Sequence, residues 1–165
     1  DRRHAGDQVS QPQCGPAGAG RPTLGLGDLV AGMPAVLAFF KTSCPVCRLS
    51  FPVWAELRRR YRPAVAAAAV SQDSLGKARR WLDGLGYDGV VLDDSAGYGV
   101  SGAFGVRTVP TLVLVGTDRQ VVDTLEGWDR TQANAWDLAL AERTGIPSTG
   151  PLSDPADGLP ESRPG

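Results

Sequence analysis

The chain has 165 residues, 42% of them hydrophobic and 21% charged, which suits one domain of ordinary size with tails. Its 17 basic and 18 acidic residues give a formal net charge of -1, which excludes the electrostatic footprint of a nucleic-acid or anionic-membrane binder. Every apolar run is too short to cross a bilayer. We therefore expect a soluble, monomeric domain with no nucleic-acid partner and no membrane span.

Both ends of the chain have the composition of disordered segments. Residues 1–22 are rich in Gly, Pro, Gln and Arg, and residues 145–165 are rich in Pro, Gly, Ser and Asp. The sequence therefore predicts a folded domain over residues 23–144 between two disordered tails. The N-terminal tail holds His4, the only histidine, and this placement argues against histidine catalysis.

A run of apolar residues from Ala35 to Phe40 predicts the first buried strand. Ahead of it, Gly25-Leu26-Gly27 lacks the third glycine of a dinucleotide-binding loop and predicts a turn. After this strand, apolar residues recur at steps of three and four and predict one buried helix face: Leu49, Val53, Trp54, Leu57 and Tyr61. The three arginines at 58–60 suit the C-terminus of this helix and a solvated face.

Cys44-Pro45-Val46-Cys47 lies at the junction between this strand and this helix. Two cysteines at that spacing close a disulfide with little backbone movement, and the amides at a helix start favour a thiolate on the first one. Cys44 is therefore the candidate nucleophile, and Cys47, one turn inside the helix, is the candidate resolving thiol. The third cysteine, Cys14, stays unpaired if these two pair with each other, and we expect it to be dispensable.

The middle of the chain alternates strands and helices. Residues 64–70 form a run of small apolar residues that predicts a central parallel strand, and residues 75–85 predict a helix with one apolar face. A short strand over residues 90–92 leads into Asp93-Asp94-Ser95. Paired aspartates suggest a metal, but without a third ligand nearby they favour capping of a short helix over residues 98–104.

The last third of the domain predicts a hairpin and a closing helix. Thr111–Val115 and Val121–Leu125 are strands with a turn over residues 116–119 between them, so we expect them to pair antiparallel. Residues 129–143 then predict an amphipathic helix. Its apolar positions include Trp136, Leu138 and Leu140.

This order of elements, with Cys-x-x-Cys at the first strand-to-helix junction, resembles the thioredoxin superfamily over residues 24–143. Besides the cysteines, the matching motifs are Phe51-Pro52, Gly105-Val106, Val109-Pro110-Thr111 and Gly127. Within the superfamily, the chain is similar to the TlpA-like and redoxin-like thiol-disulfide oxidoreductases. The resemblance implies an α/β, thioredoxin-like fold, with a central mixed β-sheet flanked by helices. It also implies an insertion of the TlpA type, formed by residues 90–104, before a cis-proline.

The same resemblance implies where a substrate is held. Val109-Pro110 is expected to be a cis peptide bond beside the cysteines, a form that X-Pro bonds adopt at low cost. The neighbouring residues Val109, Pro110 and Thr111 are expected to bind the incoming substrate chain through their backbone. No cofactor is implied.

Two positions depart from the family pattern. Ala38 replaces the buried acid of thioredoxins, and Ser50 stands where some TlpA-like reductases have a glutamate, so both familiar proton shuttles are missing. Asp73 and Glu56 are the distant candidates to replace them. Lys41, three residues before the first cysteine, is a candidate for stabilising its thiolate, or else a solvated side chain.

Three classes of function compete. Thiol-disulfide exchange on a protein or small-molecule disulfide needs the two cysteines and Pro110, which are all present. A peroxiredoxin-like thiol peroxidase is the alternative. Its Pro-x-x-x-Thr-x-x-Cys motif is broken by Leu37 and Lys41, although the hydroxyls of Thr42 and Ser43 keep it open. A metal carrier would need a histidine on a later loop or four zinc ligands, so no metal is expected.

The direction of exchange and the compartment follow from weaker signals. Val46 adds neither charge nor a hydrogen bond between the cysteines, which favours a reductase over an oxidant. The upstream electron donor is not indicated. An extracytoplasmic location is favoured over the cytoplasm, because the TlpA-like branch mostly serves there and the chain begins with Asp1 instead of Met.

Overall fold

A five-stranded mixed sheet forms the centre of the domain in the computed structural model, which describes residues 25–165. The predicted N-terminal tail, with His4 and Cys14, lies outside the described residues. The strands lie in the order β3-β2-β1-β4-β5. Strands β1, β2 and β3 are parallel, and β4 is antiparallel to both of its neighbours, β1 and β5. Their bounds are β1 Ala35–Phe40, β2 Ala66–Ser71, β3 Val90–Asp93, β4 Thr111–Val115 and β5 Val121–Glu126.

Within residues 25–165, five α-helices flank the sheet, so the expected architecture is confirmed. Four of the five follow the predicted pattern to within one or two residues. The exception is the predicted turn at Gly25-Leu26-Gly27, which is the start of a short helix because the Asp28 carboxylate accepts a hydrogen bond from the Gly25 amide at 3.0 Å. The helices are α1 Leu26–Val30, α2 Pro45–Tyr61, α3 Leu75–Asp83, α4 Gly99–Ala103 and α5 Arg130–Thr144.

The strand that leads to the cysteines, β1, is buried on both faces. All six residues of β1 are buried, and alternate side chains point to opposite sides of the sheet. Ala38 and Phe40 join the core formed with α2, α3 and α5, whereas Phe39 joins a second core that includes Val30 of α1 and Val100 of α4. Because β1 is fixed on both sides, the turn at its end has a rigid support.

Of the aspartate pair at the end of β3, Asp94 caps the next helix, as predicted, whereas Asp93 accepts hydrogen bonds from Ser95 and from the Leu75 amide. The Asp94 carboxylate is buried and accepts hydrogen bonds from the amides of Val100 and Ser101, both at 2.8 Å. The Ser101 hydroxyl donates a third hydrogen bond at 2.6 Å. These bonds satisfy the free amides at the start of α4.

Helix α5 corrects one apolar position of the predicted pattern. Trp136 and Leu140 are buried, but Leu138 is 64% exposed. Residues four apart share a helix face, whereas a residue two positions away points to the far side. Leu138 therefore faces outward while its two neighbours in the pattern form the core contact.

The predicted disorder of residues 145–165 is wrong, because these residues pack against the domain. Pro155–Asp157 forms a turn of 3-10 helix, and a short strand β7, Ser162–Arg163, pairs antiparallel with β6, Trp128–Asp129. Polar contacts hold the segment, which its composition does not reveal. The Arg60 guanidinium donates to the carbonyl oxygen of Gly150 at 2.6 Å, and Arg130 anchors the later part.

Candidate active site

Cys44 is the N-cap of α2, at the point where β1 ends and the helix begins. Its sulfur accepts a hydrogen bond from the Cys47 amide at 3.1 Å, which satisfies one of the free amides of the first helical turn. The same thiol donates to the carbonyl oxygen of Val109 at 3.3 Å. The side chain is half-buried, so the sulfur is held in place and still reachable.

Cys47 lies in the first turn of α2 and has no exposed surface. Burial raises the pKa of the Cys47 thiol well above its ordinary value, and the hydrogen bond with Cys44 adds to the shift. The two cysteines of the motif therefore differ: one is accessible from solvent, and the other is shielded and held as a neutral thiol.

The loop before β4 brings its backbone against the first cysteine. The expected cis peptide bond between Val109 and Pro110 is confirmed. Val109 is half-buried and its carbonyl faces Cys44, whereas Pro110 is buried and its carbonyl accepts a hydrogen bond from the Gly127 amide at 2.7 Å. Of these two residues, Val109 presents its backbone to the cysteine.

Thr111, which follows this loop as the first residue of β4, stabilises the loop. It is 1% exposed, and its backbone is the first of β4, in register with Phe39 of β1 and Glu126 of β5. Its hydroxyl donates to the carbonyl oxygen of Thr108 at 2.7 Å. Thr111 thus holds the shape of the loop, and a backbone contact of this loop with a substrate stays a prediction.

Lys41 lies beside the active-site turn and contacts an aromatic ring. Its ammonium is 5.2 Å from the ring centroid of Tyr98, within the range of a cation-π interaction. Its carbonyl oxygen accepts a hydrogen bond from the Cys44 amide at 3.2 Å. The backbone of Lys41 therefore shapes the turn, and the effect of its charge on the thiolate stays a prediction.

Asp73 reaches the active-site turn from the end of β2. Its carboxylate accepts hydrogen bonds from the amide and the hydroxyl of Thr42, at 2.7 and 2.9 Å, and from Lys77 at 2.9 Å. Burial alone would raise the pKa of Asp73, but the hydrogen bonds from Lys77 and Thr42 outweigh it and hold this pKa below its usual range. An ionised carboxylate is therefore hydrogen-bonded to Thr42, which lies two residues before Cys44 in the sequence.

The structure separates the two substitute acids that the sequence offers. Glu56 lies in the middle of α2 and pairs with Arg59 and Arg60 of the same helix, whereas Asp73 contacts the turn itself. Ala38 packs in the core, and the Ser50 hydroxyl is buried without a hydrogen-bond partner among residues 25–165. Of the two candidate acids, Asp73 is thus the one that contacts the active-site turn.

The sequence reasoning missed a second wall of the site, formed by the end of the chain. A Cβ atom added at Gly165 would lie 2.9 Å from the Val109 carbonyl oxygen and 2.8 Å from the Thr108 hydroxyl. A local signal for order was present. Asp154-Pro155-Ala156-Asp157-Gly158 has a capping aspartate, a proline at the first helical position and a glycine at the end, the pattern of a helical turn.

Two further properties concern the described part of the chain. Within residues 25–165, no helix is both long and apolar enough to cross a membrane. Over the same range, no three His, Cys, Asp or Glu side chains are grouped as metal ligands.

Several known proteins are similar to this chain in sequence or in structure. The methylamine utilization protein MauD of Paracoccus denitrificans is 31% identical over 131 residues, 78% of this chain and 62% of that protein. The chain thus spans about three fifths of the length of this relative. A crystal structure from Chlorobium tepidum, assigned as thiol:disulfide interchange protein DsbE, is 25% identical with a TM-score of 0.64 and covers 72% of this chain and 86% of its own.

Two other solved structures are also similar to this chain. The exposed lipoprotein thioredoxin of Streptococcus pneumoniae is 25% identical with a TM-score of 0.59, over 73% of this chain and 92% of its own. The peroxidoxin BcpB of Mycobacterium tuberculosis is 22% identical with a TM-score of 0.61, over 77% and 88%, and shares the fold. A sequence model of the AhpC/TSA family matches residues 14–124. The chain therefore belongs to the AhpC/TSA family, with a thioredoxin-like fold and a Cys-x-x-Cys pair at the start of α2.

Proposed function

We propose that the domain catalyses thiol-disulfide exchange, with Cys44 as the attacking thiol and Cys47 as the resolving thiol. The Cys44 thiolate attacks one sulfur of a substrate disulfide, forms a mixed disulfide and releases the other substrate sulfur as a thiolate. Cys47 then loses its proton and attacks Cys44, which releases the second substrate thiol. The substrate gains two electrons and two protons, and the domain is left with a Cys44–Cys47 disulfide.

The observation that carries the proposal is the asymmetry of the two thiols. Cys44 is half-buried and hydrogen-bonded at the surface, whereas Cys47 is fully buried and its pKa is raised. An attacking thiol must be reachable, and a resolving thiol must stay protonated until a mixed disulfide lies beside it. Asp73, ionised and linked to the turn through Thr42, is the carboxylate that contacts the active-site turn, where we propose that it fixes the position of the cysteine pair.

The Val109 backbone is the proposed contact for the substrate chain. Its carbonyl oxygen lies 3.3 Å from the sulfur of Cys44, so a chain paired with Val109 would bring its own sulfur close to the nucleophile. Pairing through the backbone is independent of the substrate's side chains. This arrangement suits a site that accepts disulfides in several sequences.

We propose that the domain acts as a reductase and that it does so outside the cytoplasm. Val46 contributes no charge between the cysteines, and the similar pneumococcal protein is an exposed lipoprotein thioredoxin. The likeness to a DsbE interchange protein supports a role in thiol-disulfide exchange on proteins. Protein disulfides are therefore the proposed substrates, with an electron donor that re-reduces the cysteine pair.

Membership of the AhpC/TSA family and the likeness to a peroxidoxin favour peroxide reduction as the second candidate. The local chemistry favours it less. Leu37, in the motif position of the proline, is a buried core residue, and Lys41 replaces the threonine. Of the two hydroxyls that keep this reading open, that of Ser43 is exposed and that of Thr42 already donates to Asp73. The Thr42 hydroxyl is therefore not free to orient a peroxide oxygen.

Parallel assays on one protein preparation distinguish the two activities. Reduction of insulin disulfides with a dithiol as electron source measures exchange, and consumption of hydrogen peroxide with the same dithiol measures peroxidase activity. Cys14→Ala serves as the background, so that the third cysteine contributes to neither rate. We expect insulin reduction well above the uncatalysed rate and peroxide consumption close to it. The opposite ranking would replace exchange by peroxidase activity as the function.

A further inference from the structure

The last seven residues, Leu159–Gly165, form a C-terminal strap that runs along the β6 end of the domain. The Pro160 carbonyl accepts a hydrogen bond from the indole of Trp128 at 2.7 Å, and the Glu161 carbonyl accepts one from the Arg130 amide at 2.9 Å. Ser162–Arg163 then continues as an antiparallel strand beside Trp128–Asp129. The strap thus has a defined path toward the loop that carries Val109.

The strap ends against the backbone around Val109. Gly127 has a φ of +72°, and a Cβ atom there would overlap the carbonyl oxygen of Arg163 and lie 2.8 Å from the Gly165 amide nitrogen. Gly127 itself donates to the Pro110 carbonyl. Since a Cβ atom at Gly165 would lie 2.9 Å from the Val109 carbonyl oxygen to which Cys44 donates, the strap and the first cysteine approach the same carbonyl group.

One buried arginine secures the strap. Arg130 is 6% exposed, and its guanidinium donates to the Ser153 hydroxyl at 3.0 Å, to the Leu159 carbonyl at 2.5 Å, to Asp157 at 3.3 Å and to Glu161. All residues from 161 to 165 are exposed. The end of the strap is therefore held by polar contacts, and the apolar contact of the strap is made at its start, by Leu159.

We propose that the strap selects which disulfides reach Cys44. It occupies the side of the Val109 loop along which an extended peptide would pair, so a protein disulfide must displace it. A small disulfide needs only the half-buried sulfur and can react with the strap in place. This inference rests on the proposed exchange function, and it adds that protein substrates meet an intramolecular competitor at the site.

Deletion of residues 161–165 tests the proposal without changing the net charge, because it removes one glutamate and one arginine. The ratio of turnover with insulin to turnover with hydroxyethyl disulfide is measured for both chains. We expect the deletion to raise this ratio about tenfold, the effect of about 1.4 kcal/mol on the population of the open site. Turnover with hydroxyethyl disulfide should stay within about twofold, because that probe does not need the strap to open.

A milder variant repeats the test with the whole chain present. Glu161→Gln weakens the contact with Arg130, and Glu142→Gln on α5 is the matched control, an exposed glutamate that loses the same charge elsewhere. We expect a smaller rise in the ratio for Glu161→Gln and none for Glu142→Gln. An unchanged ratio in both strap variants, or a fall in insulin turnover alone, would overturn the selection role.

A second readout does not depend on turnover and separates the two proposals. Alkylation of Cys44 is followed by peptide mapping, with iodoacetamide as a small reagent and a maleimide joined to an extended peptide as a large one. Deletion of residues 161–165 should speed the large reagent about tenfold and leave the small one unchanged. If the alkylation rates respond in this way but neither disulfide is turned over, the exchange function fails while the strap still shields Cys44. Equal effects on both reagents would overturn the shielding.

Discussion

The active-site turn and the C-terminal strap meet at Val109 but are held in different ways. The turn is fixed by buried apolar side chains of β1 and α2 and by backbone hydrogen bonds at the start of the helix. The strap is fixed by the polar contacts of Arg130 and by a two-residue strand pair. Changes in one region should therefore leave the other largely intact, which separates chemistry from access.

The energies of the two regions differ for the same reason. Burial of a large apolar side chain contributes about 1.5 to 3 kcal/mol, and the turn rests on several, among them Phe40 and Phe51. A hydrogen bond to a charged group contributes about 1.5 to 3 kcal/mol when it is dry and less when water competes. Asp157 and Glu161 are exposed, so we expect the strap to open far more often than the turn.

The largest effect is expected from the cysteine of the turn. Cys44→Ser should reduce the rate of insulin reduction to the uncatalysed level, because the serine hydroxyl is not a nucleophile toward disulfides at neutral pH. Cys14→Ala, which removes a thiol outside the described residues, should leave the rate unchanged. Equal losses in the two variants would argue against a site built on Cys44.

On the strap, the largest effect is expected from its buried anchor. Arg130→Met should lower the free energy of unfolding by about 1 to 3 kcal/mol, because the charge-assisted hydrogen bonds are lost while the aliphatic volume is kept. Hydrogen exchange should show the loss concentrated in residues 155–165. Arg143→Met, an exposed change on the same helix, is the control and should do neither. Unaltered protection of the strap in Arg130→Met would show that Arg130 is not its anchor.

A moderate effect on the turn is expected from Asp73→Asn. Its hydrogen bonds from Thr42 lose their charge assistance, so we expect a stability loss of about 1 to 2 kcal/mol and slower resolution of the mixed disulfide. Asp83→Asn, an exposed change on α3, is the matched control. Urea denaturation and single-turnover kinetics measure the two quantities. A variant that behaves like Asp83→Asn in both would remove Asp73 from the account.

The smallest effect is expected from mild acid. Hydrogen bonds from Ser153 and the Leu159 amide, with Arg130 adding, hold the pKa of Asp157 below its usual value of 3.8. A carboxylate whose pKa is lowered by folding stabilises the folded state above its ordinary pKa and loses that contribution as the pH falls through the lowered value. Protection of the strap against hydrogen exchange, corrected for the intrinsic rate, should therefore hold from pH 7 to 5 and fall below about pH 4. Opening between pH 8 and 6 would contradict this assignment.

The sequence predicts the turn far better than the strap, and the comparison explains why. Continuous apolar runs such as Ala35–Phe40 and helical spacing such as that of α2 are consequences of burial, which composition and periodicity report directly. The cysteine pair adds a motif at a defined junction. Residues 145–165, which end in the strap, have neither signal, because they are ordered by hydrogen bonds to arginines that lie far away in the sequence.

The surroundings of single residues depend on the fold in the same way. Asp73 and Glu56 are equivalent as acids in the sequence, and only the fold places the first against Thr42 and the second beside arginines of its own helix. Thr111 belongs to the expected substrate motif, and only the fold shows that it pairs with strands on both sides and is buried. Contacts between distant parts of the chain decide these roles, and a local pattern does not encode them.

The most direct test of the exchange mechanism is to trap its intermediate. Cys47→Ser in a Cys14→Ala background is mixed with an insulin disulfide, and the products are measured by intact mass and by peptide mapping. The account predicts a covalent adduct on Cys44 that persists until an external dithiol is added, because the resolving thiol is gone. Full dithiol-dependent turnover by Cys47→Ser without any adduct at Cys44 would contradict it.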